Sequence, residues 1–306
     1  MRVLVTGGAG FIGSHIVDRL VQEGHKVSII DNLSTGKTEN LNRDAEFYKL
    51  DIENPRIEKV IKKEKPEVIC HLAAQMDVRR SVADPAFDAK TNIIGMINLL
   101  EYAVRHGARK VIFSSTGGAI YGEGGHYPTA EDHPARPVSP YGISKLTGEH
   151  YLFYYQVMYG LNYVALRYAN VYGPRQDPFG EAGVVAIFTK KMLKNEQPLI
   201  NGNGMQTRDY VYVEDVVNAV MLAIENNVND TFNVGTGIET SVNDLFRLLV
   251  ELTGSNVREM HGPAKKGEQM RSCLSFDKIK KTMEWEPSVP LSTGLANTVE
   301  FFRGRQ

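Results

Sequence analysis

The chain has 306 residues, 42% hydrophobic and 23% charged, the balance of a globular fold with a sizeable core, which excludes disordered, collagen-like and coiled-coil classes. Thirty-five Lys and Arg against 36 Asp and Glu leave a net charge of −1 with no block of like charge, so nothing draws the chain to nucleic acid or to a membrane surface. Cys70 and Cys273 lie far apart and outside any Cys-x-x-Cys, so no disulfide framework and no metal site is predicted, and a reducing cytoplasm is the expected compartment.

Residues 2–6 form a short β-branched run, and residues 11–23 carry apolar side chains at Ile12, Ile16, Leu20 and Val21, the spacing of a helix that Gly24 ends. A second strand follows at 26–31, so the chain opens with a βαβ unit, not a signal peptide, and its two strands are parallel. Further strands are predicted at 46–50, 68–72, 110–114, 163–167 and 231–234, and helices at 92–106 and 141–159. No run approaches the 18 apolar residues of a membrane span. His71, inside the apolar run at 68–72, reads as a hydrogen-bonded core residue and not as a ligand.

This alternation implies an α/β fold, a Rossmann-type doubly wound parallel sheet. After Gly173-Pro174 the rhythm changes to Gly/Pro-rich turns and short helices. We expect a dinucleotide-binding domain over 1–172, to which 209–235 returns, and a smaller substrate-binding lobe over most of 173–306.

Thr6-Gly7-Gly8-Ala9-Gly10-Phe11-Ile12-Gly13 carries the glycine spacing of a dinucleotide-binding turn, and it stands between a strand and a helix. There glycines permit the tight turn and let backbone N–H groups approach a pyrophosphate. Asp31 ends the second strand 18 residues beyond Gly13, the place for a carboxylate on the adenosine ribose. Asn32 follows, with no adjacent arginine to pair a 2′-phosphate, which favours NAD over NADP. The competing reading makes Asp31 a turn cap.

Tyr141 and Lys145 stand at i and i+4 on one helix face. A tyrosine ionises near pH 10 on its own, so its use as a base near neutrality requires adjacent positive charge, which Lys145 and an oxidised nicotinamide would supply. Upstream, a strand ends in Ser114-Ser115-Thr116, where ligands of open α/β sheets bind; the plainer reading is a turn-forming hydroxyl cluster.

These segments, with Asp51-Ile52, Leu72-Ala73-Ala74-Gln75, Asn92 and Arg167-Tyr168-x-Asn170-Val171-Tyr172-Gly173-Pro174, resemble the extended short-chain dehydrogenase/reductase family nearly end to end. Within it the chain is similar to UDP-glucose (UDP-galactose) 4-epimerases, also through residues 208–215 and Trp285. The resemblance implies a retained NAD held by Gly7, Gly10, Phe11, Ile12, Gly13, Asp31, Asn32, Asp51, Ile52, the segment Leu72, Ala73, Ala74 and Gln75, Asn92, Ser114, Tyr141, Lys145 and Tyr168. It implies a UDP-sugar bound by Thr116, Tyr141, Asn170, Leu199, Asn201, Arg208 and Lys265. Lys265 stands where the family usually has an arginine, so it would offer a point charge without a bidentate fork.

The implied chemistry is that of an isomerase. Tyr141 takes the proton of the sugar 4-hydroxyl, Thr116 holds that oxygen, and a transient 4-keto sugar turns over and regains hydride on its other face. Ser115 is a possible substitute for Thr116, because Gly117-Gly118-Ala119 lengthens the loop by one residue. The alternatives are an epimerase of another UDP-sugar such as UDP-glucuronate, a dehydratase, for which the carboxylate expected in that loop is lacking, and a non-catalytic NAD-binding sensor. Ser272 aligns approximately with a position that is bulky in some 4-epimerases, so the resemblance implies room for an N-acetyl group. The resemblance also implies a homodimer through helices 92–106 and 141–159, with Tyr151, Leu152, Tyr154 and Tyr155 as candidate contacts, although an aromatic stripe at helical spacing is more often simply core.

Overall fold

A computed structural model describes residues 1–123, 126–179, 183–265 and 269–305. Its strands are β1 (Arg2–Thr6), β2 (Lys26–Asp31), β3 (Glu46–Lys49), β4 (Val68–His71), β5 (Lys110–Thr116), β6 (Asn162–Tyr168), β7 (Asn170–Tyr172), β8 (Ile200–Asn201), β9 (Thr207–Arg208), β10 (Tyr210–Tyr212), β11 (Asp230–Val234), β12 (Thr240–Ser241), β13 (His261–Gly262) and β14 (Arg271–Ser272). Seven of them form one parallel sheet in the order β11-β6-β5-β4-β1-β2-β3. The order reverses between β1 and β4, which opens a crevice at the carboxyl ends of the strands. This is the doubly wound α/β architecture expected.

The helices are α1 (Phe11–Gln22), α2 (Ile57–Glu64), α3 (Val78–Ala83), α4 (Pro85–Ala89), α5 (Gly95–Arg105), α6 (Gly117–Ile120), α7 (Pro140–Tyr159), α8 (Val184–Leu193), α9 (Val213–Glu225), α10 (Val242–Thr253), α11 (Asp277–Met283) and α12 (Leu291–Arg303). The helix predicted at 92–106 starts earlier than its apolar pattern: Asp84 caps α4, Pro85 takes the first turn, and a π-turn at Lys90–Ile94 joins α4 to α5. Proline is suited to that first position because its missing N–H has no helical partner anyway. The strand predicted at 110–114 runs on to Thr116, because Ser115 and Thr116 still pair with Arg167 and Tyr168 of β6.

One apolar cluster, including Ile16, Leu20, Val220 and Phe232, packs α1 and α9 on one side of the sheet. Another, with Leu99, Phe113 and Leu152, packs α2, α5 and α7 on the other. A third joins α8, α10 and α12 around Tyr172, Phe188 and Leu245. Two buried carboxylates tie the C-terminal segments down. Asp209 accepts hydrogen bonds from the backbone N–H of Thr236, Gly237 and Leu274 and from the Thr236 hydroxyl, and Asp215 accepts from Ser288 and Val289, while the Trp285 indole donates to the Asp215 carbonyl. No helix among the described residues is long and apolar enough to cross a membrane.

Candidate active site

The glycine turn has space for backbone only. A Cβ on Gly13 would stand 2.2 Å from the Gly7 carbonyl oxygen, and one on Gly7, whose φ is +74°, would stand 2.7 Å from the Ala73 nitrogen. Gly10 caps α1 without a side-chain bond, so N–H groups of the first turn remain available to an anion. Asp31 is buried, and its carboxylate accepts from the N–H groups of Ala9 and Leu33 at 3.0 and 2.8 Å, which fixes it beside the turn. Asn32 donates to Asp51 at 2.7 Å, and buried Ile52 packs where a Cβ on Gly95 would meet it at 3.0 Å. A cradle closed to side chains, a helix start and a fixed carboxylate at the end of β2 fit a dinucleotide such as NAD.

After β4 the segment Leu72, Ala73, Ala74, Gln75 borders the same crevice. Thr6 Oγ1 lies 2.7 Å from His71 Nδ1 and accepts from the Ala73 N–H; burial draws the His71 pKa down to about 3, so this imidazole is neutral core, as the sequence suggested. Gln75 and Asn92 bond reciprocally: the Gln75 N–H donates to Asn92 Oδ1, and Asn92 Nδ2 donates to the Gln75 carbonyl, both at 2.8 Å. Both amides also donate to Asp88, which further accepts from the Ser144 hydroxyl at 2.6 Å. Asp88 is wholly buried, and no sequence motif pointed to it.

Helix α7 presents the central pair. Ser139 caps it by accepting from the Gly142 N–H, Pro140 takes its first turn, and Gly160 at φ +69° ends it. Within it Lys145 donates from Nζ to the Ser114 carbonyl at 2.8 Å, and its ammonium lies 5.9 Å from the Tyr141 ring centre. The Tyr141 N–H donates to the Ser81 hydroxyl. Burial, with the Asp88 charge adding to it, pushes the Tyr141 phenol above its ordinary pKa, while burial pulls the Lys145 ammonium down to about 8.

Strand alternation separates the three hydroxyls of β5. Ser114 Oγ lies 3.1 Å from the Tyr168 phenol, whereas Ser115, on the opposite face, donates to Glu149 at 2.6 Å. Glu149 is held by the Arg167 guanidinium at 2.6 Å, and Arg167 donates onward to the Tyr121 phenol. Ser115 is therefore committed to a buried network. Thr116 is half-buried, and a Cβ built on Gly118 would sit 4.0 Å from its Oγ1 and 3.9 Å from Ser272 Oγ. Thr116 and Ser272 thus both border Gly118 on this side of the loop. A Cβ on Gly117 would stand 2.3 Å from Leu274, which packs α6 onto the C-terminal segments.

Asn170 opens β7, which pairs with β10, and Arg208 closes β9, which pairs with β12 and β14. The Asn170 N–H donates to the Asp209 carbonyl, and Arg208 pairs in register with Ser272. Asn201, on β8, accepts at its carbonyl from Gln206, and Leu199 is 47% exposed just ahead of that strand. Lys265 is exposed, and the rest of its motif, residues 266–268, lies outside the described residues. Of the candidate dimer contacts, Leu152 and Tyr155 are 0% and 2% exposed within this one chain and follow the core reading of the stripe, whereas Tyr154 is 45% exposed.

A model of the NAD dependent epimerase/dehydratase family matches residues 3–235. A UDP-glucose 4-epimerase of Mycolicibacterium smegmatis is 47% identical over 311 aligned positions, spanning 100% of this chain and 99% of its own. Among solved structures, the UDP-glucose 4-epimerase of Thermotoga maritima with UDP-glucose is 54% identical, with a TM-score of 0.98 over 100% of this chain and 99% of that one. The UDP-glucose 4-epimerase of Thermus thermophilus in complex with NAD is 44% identical, with a TM-score of 0.94 over 99% of each chain. With the glycine cradle, the fixed Asp31 and the Tyr141–Lys145 pair converging on one crevice, the chain belongs to the NAD-dependent epimerase/dehydratase family.

Proposed function

We propose that the protein is an NAD-dependent UDP-sugar 4-epimerase that interconverts UDP-glucose and UDP-galactose. The observation that carries this reading is the pair of half-buried Tyr141 and buried Lys145 near the end of β5 beside a dinucleotide cradle, in a chain related end to end to UDP-glucose 4-epimerases. Residues 7–13, Asp31, Asp51, Ile52, residues 72–75 and Asn92 hold the cofactor; when bound, it supplies a reversible hydride acceptor and a positive charge. Tyr141 Oη takes the proton of the sugar 4-hydroxyl and later returns it, and the Lys145 ammonium stabilises its phenolate form. Thr116 Oγ1 holds the sugar oxygen, the role left to it because Ser115 is bonded to Glu149. Asn170 and Arg208 retain the diphosphate while the sugar turns.

A dehydratase also needs an acid or base for the neighbouring carbons. The loop after Thr116 is Gly117-Gly118-Ala119-Ile120 and offers none. A second reading, turnover of the N-acetylated UDP-sugars, is favoured by the small Ser272, which borders Gly118 as Thr116 does. The face of α7 that shows Phe153 at 59%, Val157 at 60% and Met158 at 59% exposure supports a homodimer, and two buried free cysteines suit a reducing cytoplasm.

The test is to follow UDP-galactose by NMR with purified protein and no added cofactor. We expect UDP-glucose without an accumulating keto product, and a loss of about 10²- to 10⁴-fold in kcat for Tyr141→Phe with nucleotide still bound. Unchanged turnover in that variant overturns the assignment of the base. Binding without turnover in the unaltered protein points instead to an NAD-binding sensor.

A further inference from the structure

Asp88 has no step in the proposed reaction, yet it is 0% exposed, and donors from three segments close around it: Gln75 after β4, Asn92 in the π-turn and Ser144 in α7. The backbone sets the orientation of both amides. Gln75 Oε1 accepts from the Asp77 N–H at 2.7 Å and Asn92 Oδ1 from the Gln75 N–H at 2.8 Å, so the nitrogen of each is left to donate. Gln75 Nε2 places one hydrogen on the Asp77 carbonyl and Asn92 Nδ2 one on the Gln75 carbonyl, and each places its other hydrogen on Asp88 Oδ1 at 3.0 Å. Ser144 bonds Oδ2 at 2.6 Å. Three donors on two oxygens suit an ionised carboxylate, which only accepts.

These three partners are neutral, so they leave the charge itself in place. Ser144 leads directly to Lys145, whose ammonium bonds the neutral Ser114 carbonyl and stands 4.8 Å from the Phe113 ring centre. Burial works against the proton of that ammonium, and two carboxylates, Asp88 and then Glu149, work to keep it. Glu149 is already paired with the Arg167 guanidinium of β6 at 2.6 Å. Burial holds His71 and Cys70 of β4 neutral, and Tyr168 of β6 is a phenol bonded to Ser114. On α3, Asp77 caps the helix while Arg79 and Arg80 are exposed, Lys90 of the π-turn pairs with Glu53, and Glu101 of α5 accepts from Tyr155. Of the two carboxylates that act on Lys145, Asp88 is therefore the one whose bonded partners include no cation.

We infer that Asp88 is a positioning residue for the epimerase reaction: its fixed negative charge keeps Lys145 a cation beside Tyr141, and its three bonds hold Gln75, Asn92 and α7 in one arrangement. The inference rests on the 4-epimerase reading of the site. A nearby negative charge opposes loss of a proton from Tyr141 as well as from Lys145, so both groups titrate higher with the carboxylate than without it. Asp88→Asn removes the charge and can keep the bonds, with Oδ1 facing both amides and Nδ2 donating to the Ser144 hydroxyl, which also accepts.

The test is the pH dependence of kcat for UDP-galactose turnover in the unaltered protein, in Asp88→Asn and in Ser144→Ala, which keeps the carboxylate and loses one donor. We expect both limbs of the profile to move acidward by about half a pH unit or more in Asp88→Asn and to stay in place in Ser144→Ala. A purely structural part for Asp88 lowers kcat equally at every pH. Limbs that stay in place in Asp88→Asn, or that move as far in Ser144→Ala, overturn the inference. If Asp88→Asn does not fold by circular dichroism, Asp88→Ser takes its place; failure of both to fold makes the carboxylate a requirement of the fold and also overturns the inference. Absence of turnover in the unaltered protein sinks the 4-epimerase reading itself, and the inference with it.

Discussion

Lys145 is 4% exposed; burial draws its pKa to about 8, although the Asp88 and Glu149 charges act to raise it. The same group titrates near 10.4 in an unfolded chain, so between pH 8 and about 10 the unfolded state binds more protons and stability rises with pH. Lys110, also drawn to about 8 by burial, acts in the same direction. From about pH 8.5 the buried thiols of Cys70 and Cys273, both pushed up to about 12, act in the opposite direction, and above about pH 10 so do tyrosines raised by burial in the fold, Tyr141 and Tyr168 among them, because these groups ionise first in the unfolded chain. We expect Lys145→Met to lower the slope of urea midpoint against pH between 8 and 10 by about one proton's worth relative to the unaltered nucleotide-stripped protein. An unaltered slope in the variant would show that Lys145 does not titrate in this window. The two hydroxyls of β5 separate by the same residue-level reasoning. Thr116→Val is expected to lower kcat by about 10-fold or more with little change in melting temperature. Ser115→Ala, which strips a donor from the buried Glu149–Arg167 pair, is expected to lower the melting temperature while keeping most of kcat. Measuring both quantities on both variants checks the assignment, and the reverse pattern transfers the substrate role to Ser115.

At the scale of elements, the turn between β1 and α1 joins sequence to chemistry most directly. Its glycines are required by close approach: the Gly13 Cα lies against the Gly7 carbonyl, and Gly7 takes a φ of +74° that a side chain would strain. Gly13→Ala is expected to open the turn, so that protein purified from the same expression carries far less nucleotide by absorbance and melts several degrees lower. Retention of a full complement of nucleotide would mean that the turn does not set affinity. Helix α7 works by a different rule. Residues 141, 145 and 149 succeed one another at four-residue spacing, so one helix carries the proposed base, its cation and the carboxylate that fixes Arg167. The π-turn at Lys90–Ile94 lies next to this array and holds Asn92 against Gln75, a placement often found for such turns near functional sites.

For the whole molecule, the late strand β11 completes the sheet beside β6, and Asp209 and Asp215 bind the C-terminal segments to it through five backbone N–H groups. The crevice is therefore walled by chain that lies far apart in sequence, and Gly117 against Leu274 is one such seam. The outer face of α7 is left apolar and open in the single chain. Phe153→Glu/Val157→Glu is expected to convert a dimer into a monomer in sedimentation, with secondary structure unchanged by circular dichroism. A monomeric unaltered protein, or a dimeric variant, would remove this face from the assembly.

The local sequence alone determined the parallel α/β class, the glycine turn, Asp31, the Tyr141–Lys145 pair and the late return of 231–234 to the sheet. Each follows from short-range rules of apolar period, turn chemistry and helix spacing, which operate within a few residues. Tertiary structure alone decided which hydroxyl of β5 faces the loop, because that depends on a strand running two residues further than its apolar pattern, paired residue by residue with β6. It also decided that Leu152 and Tyr155 belong to the core while Phe153 and Val157 face outward, since hydrophobic side chains on every face of α7 leave no polar stripe to orient it. Asp88 had no signal in the sequence, because a polar side chain reveals its burial and its partners only when distant segments close around it.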